Sequence, residues 1–599
     1  MPKNINKEFN QEKKIDMKAS IKKIGIYIKK YRIIMIIAVI FAMSGSILTL
    51  VGPSQLTNLT DEIILGVSSS MQNGPGIDMD KIKSIGLLLI IVYAISYILS
   101  ISQGLIISTV MQTTAKKLRT DISTKINRLP MIYFSKHSKG DILSRVTNDV
   151  DTIGQTLSQS MGTFISATTL LIGSLIMMFV TDVYLALTAI LSTFIGFIFM
   201  MIVVKASQKY FKEQQEHLGE INGHIEEMYA GHNVVKVYNG EKKSIEIFDD
   251  INSQLKKSSF KAQALSGLMM PMMIFIGNFG YVAVCIVGAL LTINGTITFG
   301  IIVAFMIYIR LFTQPLGQIA QSMQNLQLAA AASERVFEFL EEKEMSKETN
   351  KRKKFNKVKG NVEFKNVHFG YTKEKTIINN FSAKAKAGQK VAIVGPTGAG
   401  KTTIINLLMR FYEIESGDIL IDKISIKDVK REEVHSKFSM VLQDTWIFEG
   451  TLKENLVYAA ENISMDTINE AVKAVGLDHF VKTLEDGYDT ILNDKLELSS
   501  GQKQQITIAR AMIADKPMLI LDEATSSIDT RTEIQIQKAM DKLMKNRTSF
   551  VIAHRLSTIK NADLILVMKD GDVIEKGNHK ELLKENVFYA ELYNSQFDS

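Results

Sequence analysis

Six long apolar runs between residues 33 and 318 leave the chain few ways to fold. A bilayer core about 30 Å thick is crossed by roughly 20 helical residues. The runs cover about 33–56, 85–110, 161–180, 184–204, 268–291 and 299–318. The last is short up to Phe312 and reaches spanning length only by continuing past Pro315. Buried helices of a water-soluble domain do not come in this number at this length. The first half therefore reads as a helical membrane domain with six spans.

The spacing of the runs carries a topology. Spans 3 and 4 are separated by Thr181-Asp182-Val183, and spans 5 and 6 by a turn around Asn294-Gly295. A modest loop holding Asp61, Glu62, Asp78 and Asp80 is expected between spans 1 and 2. The connections between spans 2 and 3 and between 4 and 5 are long, charged and helical in pattern. Lys116, Lys117, Arg119, Lys125 and Arg128 crowd the first, and Lys205, Lys209, Lys212, Lys236, Lys242 and Lys243 the second. Basic loops stay on the cytoplasmic side, so both termini are expected there, with spans 2 to 5 extending beyond the bilayer. Residues 1–32 are lysine-rich, and Ile21 to Tyr31 suits an amphipathic helix lying on the inner face. The net charge of +8 falls beside the apolar runs rather than in an arginine stripe, which argues against a nucleic-acid partner. The only cysteine, Cys285, excludes an intrachain disulfide and reads as a small buried hydrophobe. The first apolar run follows about thirty polar and basic residues, so no cleavable signal peptide is expected. Inside the spans, Gln103, Asn278 and Arg310, with Gln314 nearby, either face a cavity or pair with neighbouring helices. Pro271 and Pro315 are candidate kinks, and Met269-Met270-Pro271-Met272-Met273 supplies adaptable surface.

Residues 336–357 are densely charged and read as a linker. From residue 358 to 599 the texture changes to short β-branched strands, glycine turns and helices, as in an α/β nucleotide-binding domain. Its centre is Gly395-Pro396-Thr397-Gly398-Ala399-Gly400-Lys401-Thr402, which fits the phosphate-loop pattern G-x-x-x-x-G-K-[ST] without mismatch. Val391 to Val394 before it reads as a buried strand, and Thr403 to Met409 after it as a helix. Glycines there let backbone N–H groups turn toward phosphates, and the helix start adds positive partial charge. Lys401 is expected to reach the β- and γ-phosphates, and the Thr402 hydroxyl to bind Mg²⁺.

Motifs around this loop resemble, in order, those of ATP-binding-cassette (ABC) exporters, and the likeness covers nearly the whole chain. Tyr133 to Asp151 resembles the first intracellular loop of that family, and Glu226 to Gly231 with Val235 to Tyr238 the second. In the family these loops end in coupling helices that dock on the nucleotide-binding domains. Tyr371 matches the aromatic that stacks on adenine, and Gln443 the Q-loop glutamine that can bind Mg²⁺. Leu498-Ser499-Ser500-Gly501-Gln502 matches the signature L-S-G-G-Q except at its third place. Met518 to Leu521 leads to Asp522, the aspartate of the Mg²⁺ shell, and Glu523 is the expected general base. Ser526-Ser527-Ile528-Asp529 resembles the D-loop, and Val551-Ile552-Ala553 delivers the switch histidine, His554. The resemblance implies ATP and Mg²⁺ as cofactors, with Pro396, Thr397, Ala399, Thr403 and the loop glycines around the nucleotide. Ser499, Ser500, Gly501, Gln502 and Asp529 are implied to meet a nucleotide held by a second domain. It further implies ATP-driven export of an amphipathic substrate (a drug, lipid or peptide) across the cell membrane, and an ATP-gated channel or regulatory membrane protein is the alternative.

Ser500 departs from the pattern, and Thr490 to Glu497 lacks the usual Gly-Glu of the X-loop. A Cβ where backbone must approach phosphate weakens such a site. With Glu523 and His554 both present, the chain resembles one subunit of heterodimeric bacterial exporters, whose partner brings the sound signature. A homodimer stays open.

Overall fold

A computed structural model of the 599-residue chain describes residues 17–597, apart from Arg352, Lys373, Glu374, Ala459, Glu461, Asp494, Lys495, Glu497, 523–529, His554 and Arg555. Two compact units emerge. One joins Met1–Asn127 with Lys139–Glu342, the other Arg128–Ser138 with Lys343–Ser599.

The helices of the first part of the chain are α1 (Met17–Ile28), α2 (Arg32–Met71), α3 (Met79–Ile126), α4 (Met131–Lys136, grouped with the second unit), α5 (Lys139–Ser144), α6 (Val150–Thr181), α7 (Val183–Ala230), α8 (His232–Val237), α9 (Glu241–Gly267), α10 (Met269–Ile293) and α11 (Phe299–Glu341). Among the described residues six helical stretches are long and apolar enough to cross a membrane. At 1.5 Å per residue, the 48-residue α3 and α7 are about 72 Å long, more than twice a bilayer core. Their starts are fixed by aspartates. The Asp78 side chain accepts from Asp80 N and Lys81 N, and Asp182, the single residue between α6 and α7, accepts from Leu185 N at 2.8 Å.

The connection between the first two spans is shorter than its charges suggest. α2 runs on to Met71 and α3 begins at Met79, so Asp61, Glu62 and Asp80 are helical and only Asp78 remains in the turn. The reason is tertiary. Asp61 accepts from the Thr298 hydroxyl at 2.7 Å and from Gly300 N at 2.8 Å, capping α11 from another helix. Glu62 pairs with Lys81 on α3.

α11 packs along α6 and α2, α2 along α3, and α7 along α9 and α10. Met178, Leu185, Ala189, Val284, Phe305 and Tyr308 are fully buried between four of them. Gln103 is buried against Gly162 of α6, where a Cβ would lie 2.1 Å from its amide nitrogen. Asn278, Arg310 and Gln314 are exposed on this chain. Pro53 and Pro315 lie inside continuous helices, and Pro271 falls in the first turn of α10, where no intrahelical N–H is lost. At the far end of α11, Arg335 Nε donates to Asp149 Oδ2 at 2.9 Å. Asp149 is buried and closes the one-turn π segment Arg145–Asp149.

The second unit holds strands β1 (Val362–Thr372), β2 (Lys375–Ala385), β3 (Lys390–Val394), β4 (Ser416–Ile421), β5 (Ile424–Ser425), β6 (Phe438–Val441), β7 (Gly450–Thr451), β8 (Ile491–Leu492), β9 (Met518–Asp522), β10 (Thr548–Ile552), β11 (Leu564–Lys569) and β12 (Asp572–Gly577). A six-stranded sheet has the order β12-β11-β3-β10-β9-β6, parallel except at β12. The central strands are apolar through their middles, as burial on both faces demands, with polar residues such as Lys390, Asp522 and Thr548 only toward their ends. An antiparallel sheet, β2-β1-β4-β5, covers one side, with Phe364, Phe369 and Phe381 packed toward β3 and helix α12 (Lys401–Leu408).

The segment before β1 is clamped rather than loose. Glu348 is ion-paired with Arg410 and Arg431, the latter at 2.9 Å, and with Lys351. Met345 N donates to Arg128 O at 2.9 Å, which helps explain why residues 128–138 belong to this unit.

Candidate nucleotide-binding site

The loop Gly395–Gly400 joins β3 to α12, the setting a phosphate loop requires. Two glycines there are obligatory on steric grounds. At Gly395 (φ +153°) a Cβ would lie 2.3 Å from Met568 O on β11, and Gly400 (φ +95°) is the left-handed N-cap of α12. Pro396, Thr397 and Gly398 are exposed at the rim, while Ala399 is buried and its N–H donates to Pro396 O. Lys401 bends back over the loop and donates to Gly395 O at 2.7 Å and Pro396 O at 3.0 Å. Burial pulls the Lys401 pKa down, and the Asp522 carboxylate opposes that by attraction. The ammonium is thus poised between loop carbonyls and an acid, where it can be handed to an anionic ligand.

Because β3, β10, β9 and β6 are parallel neighbours, their C-terminal ends share one edge of the sheet. Register places Ile552 opposite Asp522 and Ile393, and Val441 opposite Leu521. The phosphate loop after β3, Asp522 at the end of β9 and Gln443 two residues past β6 therefore gather at the edge where ligands bind in open α/β sheets. Glu523, Asp529 and His554 lie outside the described residues.

Thr402 is exposed at the start of α12, and Thr403 is buried behind it. Tyr371 reaches in from β1, and its hydroxyl shares a hydrogen bond of 3.2 Å with Thr403 Oγ1. Its ring meets Phe369 and Tyr412 edge-to-face. Tyr412 in turn lies close to Ser135 of α4, and burial with the nearby Tyr371 raises its pKa. Sequence reasoning missed this Tyr412–Tyr371–Thr403 cluster with Ser135 beside it, since no motif joins residues so far apart.

The signature residues occupy a separate element. Ser499 is the N-cap of helix Ser500–Ala514, accepting from Gln502 N, while Gln502 Oε1 accepts from Ser499 N at 2.9 Å. This capping box places Ser500 at the first helical position with ordinary helical backbone, so its Cβ brings no backbone strain. Gly501 is buried.

Thr402, Gln443 and Asp522 offer only oxygen donors, as a hard cation prefers. Among the described residues no group of three or more His, Cys, Asp or Glu side chains could cage a metal. The donor set therefore fits Mg²⁺ held by one or two side chains together with nucleotide phosphates and water.

The chain matches the family described as ABC transporter transmembrane region over residues 35–316, and the one described as ABC transporter over 378–526. It is 43% identical over 518 residues to a fatty acid ABC transporter ATP-binding/permease protein of Mycobacterium tuberculosis, covering 86% of this chain and 82% of the relative. It is 37% identical over 585 residues to an uncharacterized ABC transporter ATP-binding protein of Bacillus subtilis, covering 97% and 95%. A probable multidrug resistance ABC transporter ATP-binding/permease protein of Bacillus subtilis is 34% identical over 510 residues, covering 84% and 74%.

Proposed function

The chain belongs to the ABC transporter family, and from that premise we propose that it is one half of a dimeric exporter moving amphipathic molecules, with lipids or fatty acids and drugs as the substrate classes. It is a membrane protein with an ATP-hydrolysing domain in the same polypeptide. The observation carrying the proposal is the shared sheet edge that holds Lys401, Thr402, Asp522 and Gln443, in a chain with one such domain and six spanning helices.

The chemistry asks mainly for positioning and charge neutralisation. The loop amides and Lys401 bind the β- and γ-phosphates, and Tyr371 faces the adenine. Mg²⁺, when bound through Thr402, Asp522 and Gln443, supplies neutralising charge on the same phosphates. Glu523 accepts a proton from the attacking water while the bond from the γ-phosphorus to the bridging oxygen breaks and ADP leaves. His554 holds the γ-phosphate. Ser499, Ser500, Gly501, Gln502 and Asp529 serve the nucleotide of the second domain. ATP then favours the closed pair of domains, and its hydrolysis releases them, which gives alternating access. Both termini lie in the cytoplasm of the cell membrane's inner face. The altered signature favours a heterodimer, with the partner's signature completing the site of Lys401, Glu523 and His554.

The test is ATP turnover by the full chain alone and together with the half-transporter encoded beside it. Low turnover alone and high turnover with the partner are expected, the latter abolished by Glu523→Gln. Full turnover by the purified single chain would overturn the heterodimer, and unchanged turnover in Glu523→Gln would overturn the base.

A further inference from the structure

The first unit contains a cavity of about 510 Å³ between α1, α2, α6 and α11. That is within the size range of small-ligand pockets. Its wall is apolar, formed by side chains such as Ile28, Met35, Leu157, Phe164 and Leu326. Among the described residues two cations break the pattern, Lys29 and Arg32, and no acidic side chain lines it. Both sit at the bend where α1 gives way to the short turn Lys29–Tyr31 and then to α2. Neighbouring Lys23 is spoken for by Glu341, whereas no carboxylate pairs with Lys29 or Arg32 among the described residues. The first turn of α2 carries no acidic residue, and Tyr31 gives it no side-chain cap. Arg32 N already donates to Lys29 O, so the two side chains, not a free helix start, supply the positive charge.

Gly25 argues the same way. It lines the cavity from the interior of α1, where glycine costs helix stability relative to alanine. A Cβ at Gly25 would meet nothing within 4 Å, so no neighbour demands a glycine there. Its absent side chain leaves space, as a resident ligand would require. The cavity also lies at the level where the basic segment ends and the first apolar span begins, the depth of lipid headgroups and upper acyl chains.

We propose that this cavity is a binding site for an anionic glycerophospholipid of the surrounding bilayer, its acyl chain among the apolar walls and its phosphate on Lys29 and Arg32. Charge decides between occupants: a zwitterionic lipid would bring a second cation against two cations already there, while an anionic headgroup neutralises them. The proposal needs only that the chain sits in a membrane, and does not depend on what is exported.

The chain has one tryptophan, Trp446, in the second unit. A Trp446→Phe, Phe164→Trp variant therefore reports on the cavity alone. Reconstituted in bilayers of brominated phosphatidylglycerol or brominated phosphatidylcholine, its fluorescence should show phosphatidylglycerol preferred, by about fivefold for each cation. Adding Lys29→Gln and Arg32→Gln should bring the two lipids to parity. Gly25→Leu, which fills the space from α1, and independently Val39→Phe, which fills it from α2, should reduce quenching by both. Equal quenching by the two lipids in the parent variant would overturn the proposal, as would a preference that survives Lys29→Gln with Arg32→Gln. Quenching by added brominated fatty acid but not by phosphatidylglycerol would make the occupant a free fatty acid and overturn it as well.

Discussion

At the scale of single residues, the closest steric constraint in the phosphate loop is Gly395, because β11 passes so near. Gly395→Ala must push Met568 O aside from a 2.3 Å approach, which shifts the loop amides off their ligand. Nucleotide affinity, read by titration with a fluorescent ATP analogue, should fall by at least about tenfold, since misplacing two or three charge-assisted hydrogen bonds costs that much or more. Asp61 is the counterpart in the membrane unit. Asp61→Ala removes the cap on α11 supplied through Thr298 and Gly300, and should lower stability by about 1–2 kcal/mol, seen as a lower thermal midpoint in detergent. Asp61→Asn should recover most of it, since an amide oxygen can still accept. An acidic residue in an apolar neighbourhood read as loop from sequence alone. Its partner lies 237 to 239 residues away, and no local pattern reports such a bond.

At the scale of elements, helix Ser500–Ala514 separates two explanations of the altered signature. Its capping box is intact and Ser500 is unstrained, so Ser500→Gly should change fold stability by no more than about 1 kcal/mol. If the serine side chain alone weakens the composite site, the same substitution should raise turnover of the lone chain. Unchanged low turnover would move the cause to the loop before the helix. The linker is an element of its own kind. Burial pushes the Glu348 carboxyl up, but the Arg431 N–H, Lys351 and the guanidinium groups of Arg410 and Arg431 together hold it below the ordinary glutamate value. A carboxylate with a depressed folded-state pKa stabilises fully above its unfolded pKa, and that contribution is lost as pH falls through the folded value. Thermal midpoints of the full chain should therefore drop as pH is lowered past about 4, and Glu348→Gln should flatten that dependence while lowering the midpoint at neutral pH.

At the scale of the whole molecule, one segment changes its allegiance. Residues 128–138 interrupt the first unit in sequence yet group with the second, through Met345 N on Arg128 O and the approach of Tyr412 to Ser135. Tyr412→Phe removes the hydroxyl beside Ser135 without altering the ring contact to Tyr371. Basal ATP turnover should stay within about twofold, the loss being at most one polar contact outside the phosphate loop. Stimulation of turnover by an amphipathic substrate should fall, and an unchanged stimulation would show that the chain of contacts carries no coupling.

The order of apolar runs and charged connections determined by itself that the chain carries six helical stretches long and apolar enough to cross a membrane, because bilayer thickness sets a length that a sequence either meets or does not. The strand–loop–helix around Lys401 was equally legible, since its residues are contiguous and each type has a local steric or electrostatic reason. Tertiary structure alone decided where Asp61, Glu348, Gln103 and Tyr412 find their partners, and that four helices leave a cavity edged by Lys29 and Arg32. Such contacts join residues far apart in the chain, and their strength depends on burial and orientation, which no periodicity or motif encodes.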